Sequence, residues 1–115
     1  MRVLICGDRN WTDIIAIARE IQALPLDAVI VTGGARGADT IAHDFAAANG
    51  HPTEVHYAQW EKHGKSAGPI RNQEMLASGL DLVLAFHPDL SASKGTADMV
   101  RRARKAGLEV RVFGG

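Results

Sequence analysis

Three glycines and a guanidinium stand together in Gly33-Gly34-Ala35-Arg36-Gly37-Ala38-Asp39, where an apolar run gives way to a helical pattern. Glycines let the backbone approach an anion closely, and the unpaired amides at a helix start, with its dipole, attract negative charge. Arg36 adds a planar fork suited to phosphate. The arrangement returns at Lys94-Gly95-Thr96. A tight strand-to-helix turn explains either stretch alone, but the repetition favours phosphate binding, with Gly37 at the turn beside the anion. Further candidates are Gly7 and Arg9 in Gly7-Asp8-Arg9-Asn10-Trp11, then Lys65, Gly68, Arg71 and Asn72 in the stretch from Trp60 to Asn72. Arg71 is assigned to an anionic ligand, because a cation at a helix start otherwise opposes the dipole; an ion pair with Asp8 or Asp39 is the structural alternative. Asn72 and Asp39 would orient a ribose or the loops themselves. Trp11 and Trp60 suit stacking on a base as well as they suit core packing.

Several familiar chemistries are excluded. Gly64-Lys65-Ser66 resembles the end of a P-loop, but the glycine needed five positions before Gly64 is Gln59. After the first apolar run stands Gly7-Asp8-Arg9-Asn10 rather than a dinucleotide fingerprint, which removes an ordinary NAD dehydrogenase. The histidines at 43, 51, 56, 63 and 87 have no zinc-helix spacing, and Asp39 with His43 reads as a surface pair. Ser66 and Ser91 lack a nucleophile elbow. The single cysteine, Cys6, lies in an apolar run and reads as a buried, inert thiol. No metal or cofactor is implied. Thirteen Lys and Arg balance thirteen Asp and Glu, so no long-range field gathers a polyanion or an acidic membrane.

These residues need a scaffold that brings them together. Apolar runs at Val3–Cys6, Ala28–Thr32, Glu54–Tyr57, Asp81–Phe86 and Val110–Phe113 read as strands, the first, second and fourth buried on both faces. Between them lie helical stripes: Ile14, Ile17, Ala18 and Ile21; Ile41, Ala42, Phe45 and Ala46; Pro69 to Leu76; and Met99, Val100, Ala103 and Ala106. The alternation predicts a single α/β domain over residues 1–115, a Rossmann-like three-layer sandwich on a parallel five-stranded sheet in the order 3-2-1-4-5. In such a sheet, ligands bind beyond the carboxyl ends of the strands, where the glycine-rich loops fall. The connection from Ala58 to Gly68 reads as a long functional loop. Met1 to Gly7 is too short and too soon broken for a secretion signal, and no apolar stretch suits a membrane span, so a cytoplasmic location is expected.

Taken together, Gly7-Asp8-Arg9-Asn10-Trp11, Gly33 to Asp39, Ala67-Gly68-Pro69-Ile70-Arg71-Asn72 and Gly95-Thr96 resemble the YspA/YpsA-related SLOG family over almost the whole chain. The resemblance implies a Rossmann-like domain for nucleotides, nucleotide-derived signals or nucleic acid, and, by analogy, a homodimer paired through helices flanking the sheet. Related lonely-guy phosphoribohydrolases use P-G-G-x-G-T-x-x-E. Gly95-Thr96 matches, but Met99 stands in the glutamate's place and Asp98 is one residue early, which removes that family's acid. DprA proteins, which bind single-stranded DNA, carry a loop similar to Gly34 through His43. The leading expectation is a domain that senses or processes a small phosphorylated nucleotide, held between residues 33–39 and 94–96. Hydrolysis of a nucleotide, with Asp39 or Asp98 as the acid-base group, is the second. A single-stranded nucleic-acid module is the third.

Overall fold

A computed structural model describes residues 1–114. Five strands form one parallel sheet: β1 (Arg2–Gly7), β2 (Val29–Thr32), β3 (Thr53–Val55), β4 (Leu82–Phe86) and β5 (Glu109–Phe113). Their order is β3-β2-β1-β4-β5, as the alternation predicts. The helices are α1 (Ile14–Gln22), α2 (Ala38–Ala48), α3 (Trp60–His63), α4 (Ala67–Ala77) and α5 (Gly95–Lys105). No helix among the described residues is long and apolar enough to cross a membrane.

Side-chain alternation along the strands divides the core in two. Val3, Ile5, Ile30, Leu82, Leu84 and Phe86 face Ile17, Ile21, Ala38, Ala42 and Ala46 of α1 and α2. Leu4, Cys6, Val31, Val83 and Ala85 face Met75 of α4 and Met99, Val100 and Ala103 of α5. Both faces of β1 and β4 are therefore covered, which is why their sequences read as unbroken apolar runs. The β1–β4 pair sits at the centre, in register from Val3 opposite Leu82 to Gly7 opposite Phe86. The chain reverses its winding between β1 and β4, so a crevice opens at their carboxyl ends.

Three local expectations change. The third strand ends at Val55, which releases Tyr57 to solvent instead of pairing it. The stretch from Ala58 to Gly68 is not an open loop: α3 is followed by a 3-10 turn at Gly64–Ser66, and α4 begins at Ala67. Ile14, read as part of the buried stripe of α1, is exposed, while Ile17 and Ile21 carry the packing.

Candidate functional site

A cleft of about 280 Å³ lies at the winding reversal, lined by Cys6 and Gly7 of β1, by Asp8 and Arg9 just after it, by Ala35 of the second loop and by Asp39 in the first turn of α2. Arg71, Asn72 and Met75 of α4 form another wall. His87 follows β4, and Ser93, Lys94, Gly95, Thr96 and Met99 close the cleft around the start of α5. Its base is apolar, through Cys6, Met75 and Met99, and three cations, Arg9, Arg71 and Lys94, line the same cleft.

Asp39 dominates the second loop. One carboxylate oxygen accepts the amides of Gly33 at 3.1 Å and Ala35 at 3.3 Å, so the loop curls around a carboxylate of its own chain. Thr40 fastens the same turn by donating to the Ala35 carbonyl at 2.7 Å. Burial pushes the Asp39 carboxyl up to about 6, against the pull of the two amides and of Arg71. Burial likewise pushes the Cys6 thiol up, with a further push from Asp39, so the thiol is protonated and unreactive. At α5, the Ser93 hydroxyl accepts the amides of Thr96 at 3.1 Å and Ala97 at 3.2 Å. The amides of Gly33, Ala35, Thr96 and Ala97 thus have partners within the chain, which leaves the cationic side chains of the cleft as the groups to meet an anion.

Arg71 is the fifth residue of α4, one turn beyond the helix start. Its guanidinium donates to the Gly33 carbonyl at 2.6 Å and to Asn72 Oδ1 at 3.1 Å. The ion pair with Asp8 or Asp39, offered as the structural alternative, is absent among the described residues; a loop carbonyl takes that place. Asn72 ties α4 to the start of α5: its amide donates to the Gly95 carbonyl at 3.2 Å and to Asp98 Oδ2 at 3.0 Å. Asp98 turns away from the cleft to Asn72, Arg101 and Arg102. Burial alone raises its carboxyl, but the Arg102 hydrogen bond, with Asn72 and Arg101, outweighs burial and holds it below the usual carboxylate range. Met99, in the place of the phosphoribohydrolase glutamate, forms part of the cleft wall.

The remaining candidates divide. Gly33, Gly34, Arg36 and Trp60 line a second groove beside the cleft, sharing Arg9, Ala35 and Arg71 with it. Gly37 and Trp11 line neither; they line a separate shallow depression with Ile14 and Ile41, which shares Arg9 with the cleft. Trp11 meets Phe86 edge-on at 5.6 Å, and its indole N–H donates to the Asp13 carbonyl at 2.9 Å. Gly37 has φ +73°, and any side chain there would overlap the backbone of Asp8 and Arg9. Its freedom lets the second loop touch the first, where Ala38 N donates to the Asp8 carbonyl at 3.1 Å. Lys65 is exposed on the 3-10 turn, and Gly68 is buried beneath Trp60, 3.6 Å from the indole edge to where a Cβ would stand. Cys6, Asp8, Met75, His87, Ser93 and Met99 in the cleft, and Tyr57 and Ala58 in the groove, were not among the sequence-based ligand candidates. Only their places at or after strand ends, or on helices flanking the sheet, could have signalled them.

A doubly wound parallel sheet with a polar, cation-lined cleft at its switch point defines a Rossmann-like class of domain. Residues 1–63 match the profile of the YspA, cpYpsA-related SLOG family, and the chain belongs to that family. It is 46% identical over 123 aligned positions to Gene 61 protein of Mycobacterium phage D29, covering 98% of this chain and 96% of that one. Among solved structures, DNA processing protein A (DprA) from Streptococcus pneumoniae has the same fold, with TM-score 0.78 and 21% identity over 96% of this chain. The chain spans about half the length of that protein, 49%.

Proposed function

We propose that the cleft binds a nucleotide, with its phosphate met by Arg9, Arg71 and Lys94 and its nucleoside resting on the apolar base made by Met75 and Met99. The observation that carries this reading is the gathering of three cations, from three separate segments, into one cleft of a chain with no net charge. Membership of a SLOG family agrees with it. The cleft's 280 Å³ lies just below the usual range of ligand sites, so the cleft itself has room for no more than one nucleotide. Hydrogen bonds made by Ser93, Asn72 and Asp39 within the chain hold the walls, which supports the reading by lowering the ordering cost of binding. The homodimer stays part of the proposal, with the exposed Ile14 and Ile15 of α1 as the apolar surface to be covered.

Titration calorimetry with adenosine monophosphate tests the binding. Wild type should bind, and Lys94→Met should weaken affinity at least tenfold, about 1.4 kcal/mol, with unchanged circular dichroism. No binding, or equal affinity in the variant, overturns the reading. Turnover is the second reading, and Asp39 favours it, because a carboxyl titrating at about 6 inside a cleft is poised for proton transfer. Release of adenine or phosphate from the nucleotide, lost in Asp39→Asn, would select it.

A further inference from the structure

We infer that the groove beside the cleft is a second base-binding site, so that the preferred ligand is two nucleosides joined through a phosphate bridge. The inference rests on the proposed nucleotide reading of the cleft and extends it. Two large aromatic side chains line this groove while largely open to water: Tyr57 is 69% exposed and Trp60 is 56% exposed. A single exposed aromatic needs no explanation, but two lining one arginine-bearing groove leave apolar rings unburied at one place. Each is backed by a glycine. The Tyr57 ring lies where a side chain on Gly34 would have to stand, and Trp60 rests over Gly68. The rings are thereby held in place without being covered, which is what a stacking platform requires.

The groove's volume is about 330 Å³, similar to the cleft's 280 Å³. Arg9, Ala35 and Arg71 line both, so two guanidinium groups stand at the junction and Arg36 lies on the groove side. Arginine suits this position because its planar fork pairs with phosphate and its face stacks on a base. A phosphate bridge at the junction would place one nucleoside in the cleft and the other against Tyr57 and Trp60. A mononucleotide would leave the aromatic pair unused. The chain carries no net charge, so no long-range field gathers a longer strand.

The test compares adenosine monophosphate, 5′-phosphorylated diadenylate and decaadenylate by titration into wild type, Trp60→Ala and Tyr57→Ala. The two variants alter separate segments, so loss of folding in one leaves the other to decide. The dinucleotide should bind wild type at least tenfold tighter than the mononucleotide. That advantage should fall below threefold in each folded variant, with mononucleotide affinity changing less than twofold. The decamer should gain nothing over the dinucleotide. Mononucleotide and dinucleotide binding equally to wild type overturns this inference and leaves the nucleotide reading standing. Binding of none of the three overturns both. Affinity that climbs with each added residue and falls steeply with salt replaces the two-base site with a continuous strand site.

Discussion

Replacing Asp39 by asparagine separates the cost of a buried charge from the benefit of the loop it holds. The carboxyl rises from its ordinary 3.8 to about 6 in the folded chain, chiefly through burial. Folding therefore favours the protonated form: that stabilisation is fully present below pH 3.8 and is lost as pH rises through about 6. At about 1.4 kcal/mol for each tenfold change in the protonation equilibrium, the swing approaches about 3 kcal/mol. Loop relaxation and water entry make this an upper figure. Asparagine keeps an oxygen for the Gly33 and Ala35 amides but cannot ionise, so its cost at low pH is about 1 kcal/mol, one weakened hydrogen-bonding partner. Urea unfolding of both proteins at pH 4 and pH 8 provides the assay. The difference between them isolates Asp39, because the histidines and other carboxyls are common to both. Asp39→Asn should be less stable than wild type at pH 4 and more stable at pH 8. A stability difference that stays constant between the two pH values refutes the reasoning, for it would mean that Asp39 titrates alike in the folded and unfolded chain.

Gly37→Val should destabilise by more than about 3 kcal/mol in urea unfolding, because left-handed strain adds to overlap with the backbone of Asp8 and Arg9. A folded Gly37→Val protein with wild-type stability would show that the two loops separate freely. The Glu54 carboxylate, bonded to Arg2 at 2.6 Å and to His56 at 2.6 Å, is pulled down to about 2, chiefly by Arg2. Stability from this network is present above the ordinary 4.5 and is lost as pH falls toward about 2. Since Glu54 is more than a third exposed, Glu54→Gln should remove no more than about 1 kcal/mol at pH 7 and should flatten the acid limb of the thermal melt. Adenosine monophosphate incubated with wild type should release no adenine by chromatography, because Met99 lines the cleft and Asp98 faces Arg101 and Arg102. Release that vanishes in Asp98→Asn would show that this carboxylate reaches the ligand.

The sheet was legible because β1, β2 and β4 lie under helices on both sides, so burial wrote itself into their sequences as continuous apolar runs. The edge strand β3 was less so. Glu54 serves an ion pair there, and the apolar character of Val55 and Tyr57 does not reveal that the ladder stops between them. The turn of α3 was invisible because Trp60–His63 is too short to carry a helical stripe. At the cleft, glycine and arginine types marked loops that the fold brings together. Their hydrogen-bond partners were hidden: Asp39 turning back onto Gly33 and Ala35, and Arg71 reaching the Gly33 carbonyl, depend on three-dimensional closure. A sequence records that an anion acceptor and several donors are close in the chain. It does not record that they satisfy one another.

A nucleotide seated in the cleft at the ends of β1, β2 and β4 would perturb backbone amides from all the segments that line it. Amide chemical shifts followed by ¹⁵N-edited nuclear magnetic resonance during titration with adenosine monophosphate test that seating most directly. The amides of Gly7, Arg9, Ala35, Gly95 and Thr96, which line that cleft from three segments, should move together and saturate at one concentration. Shifts confined to the basic end of α5 around Arg101 to Lys105, or no saturable shifts at all, would contradict it.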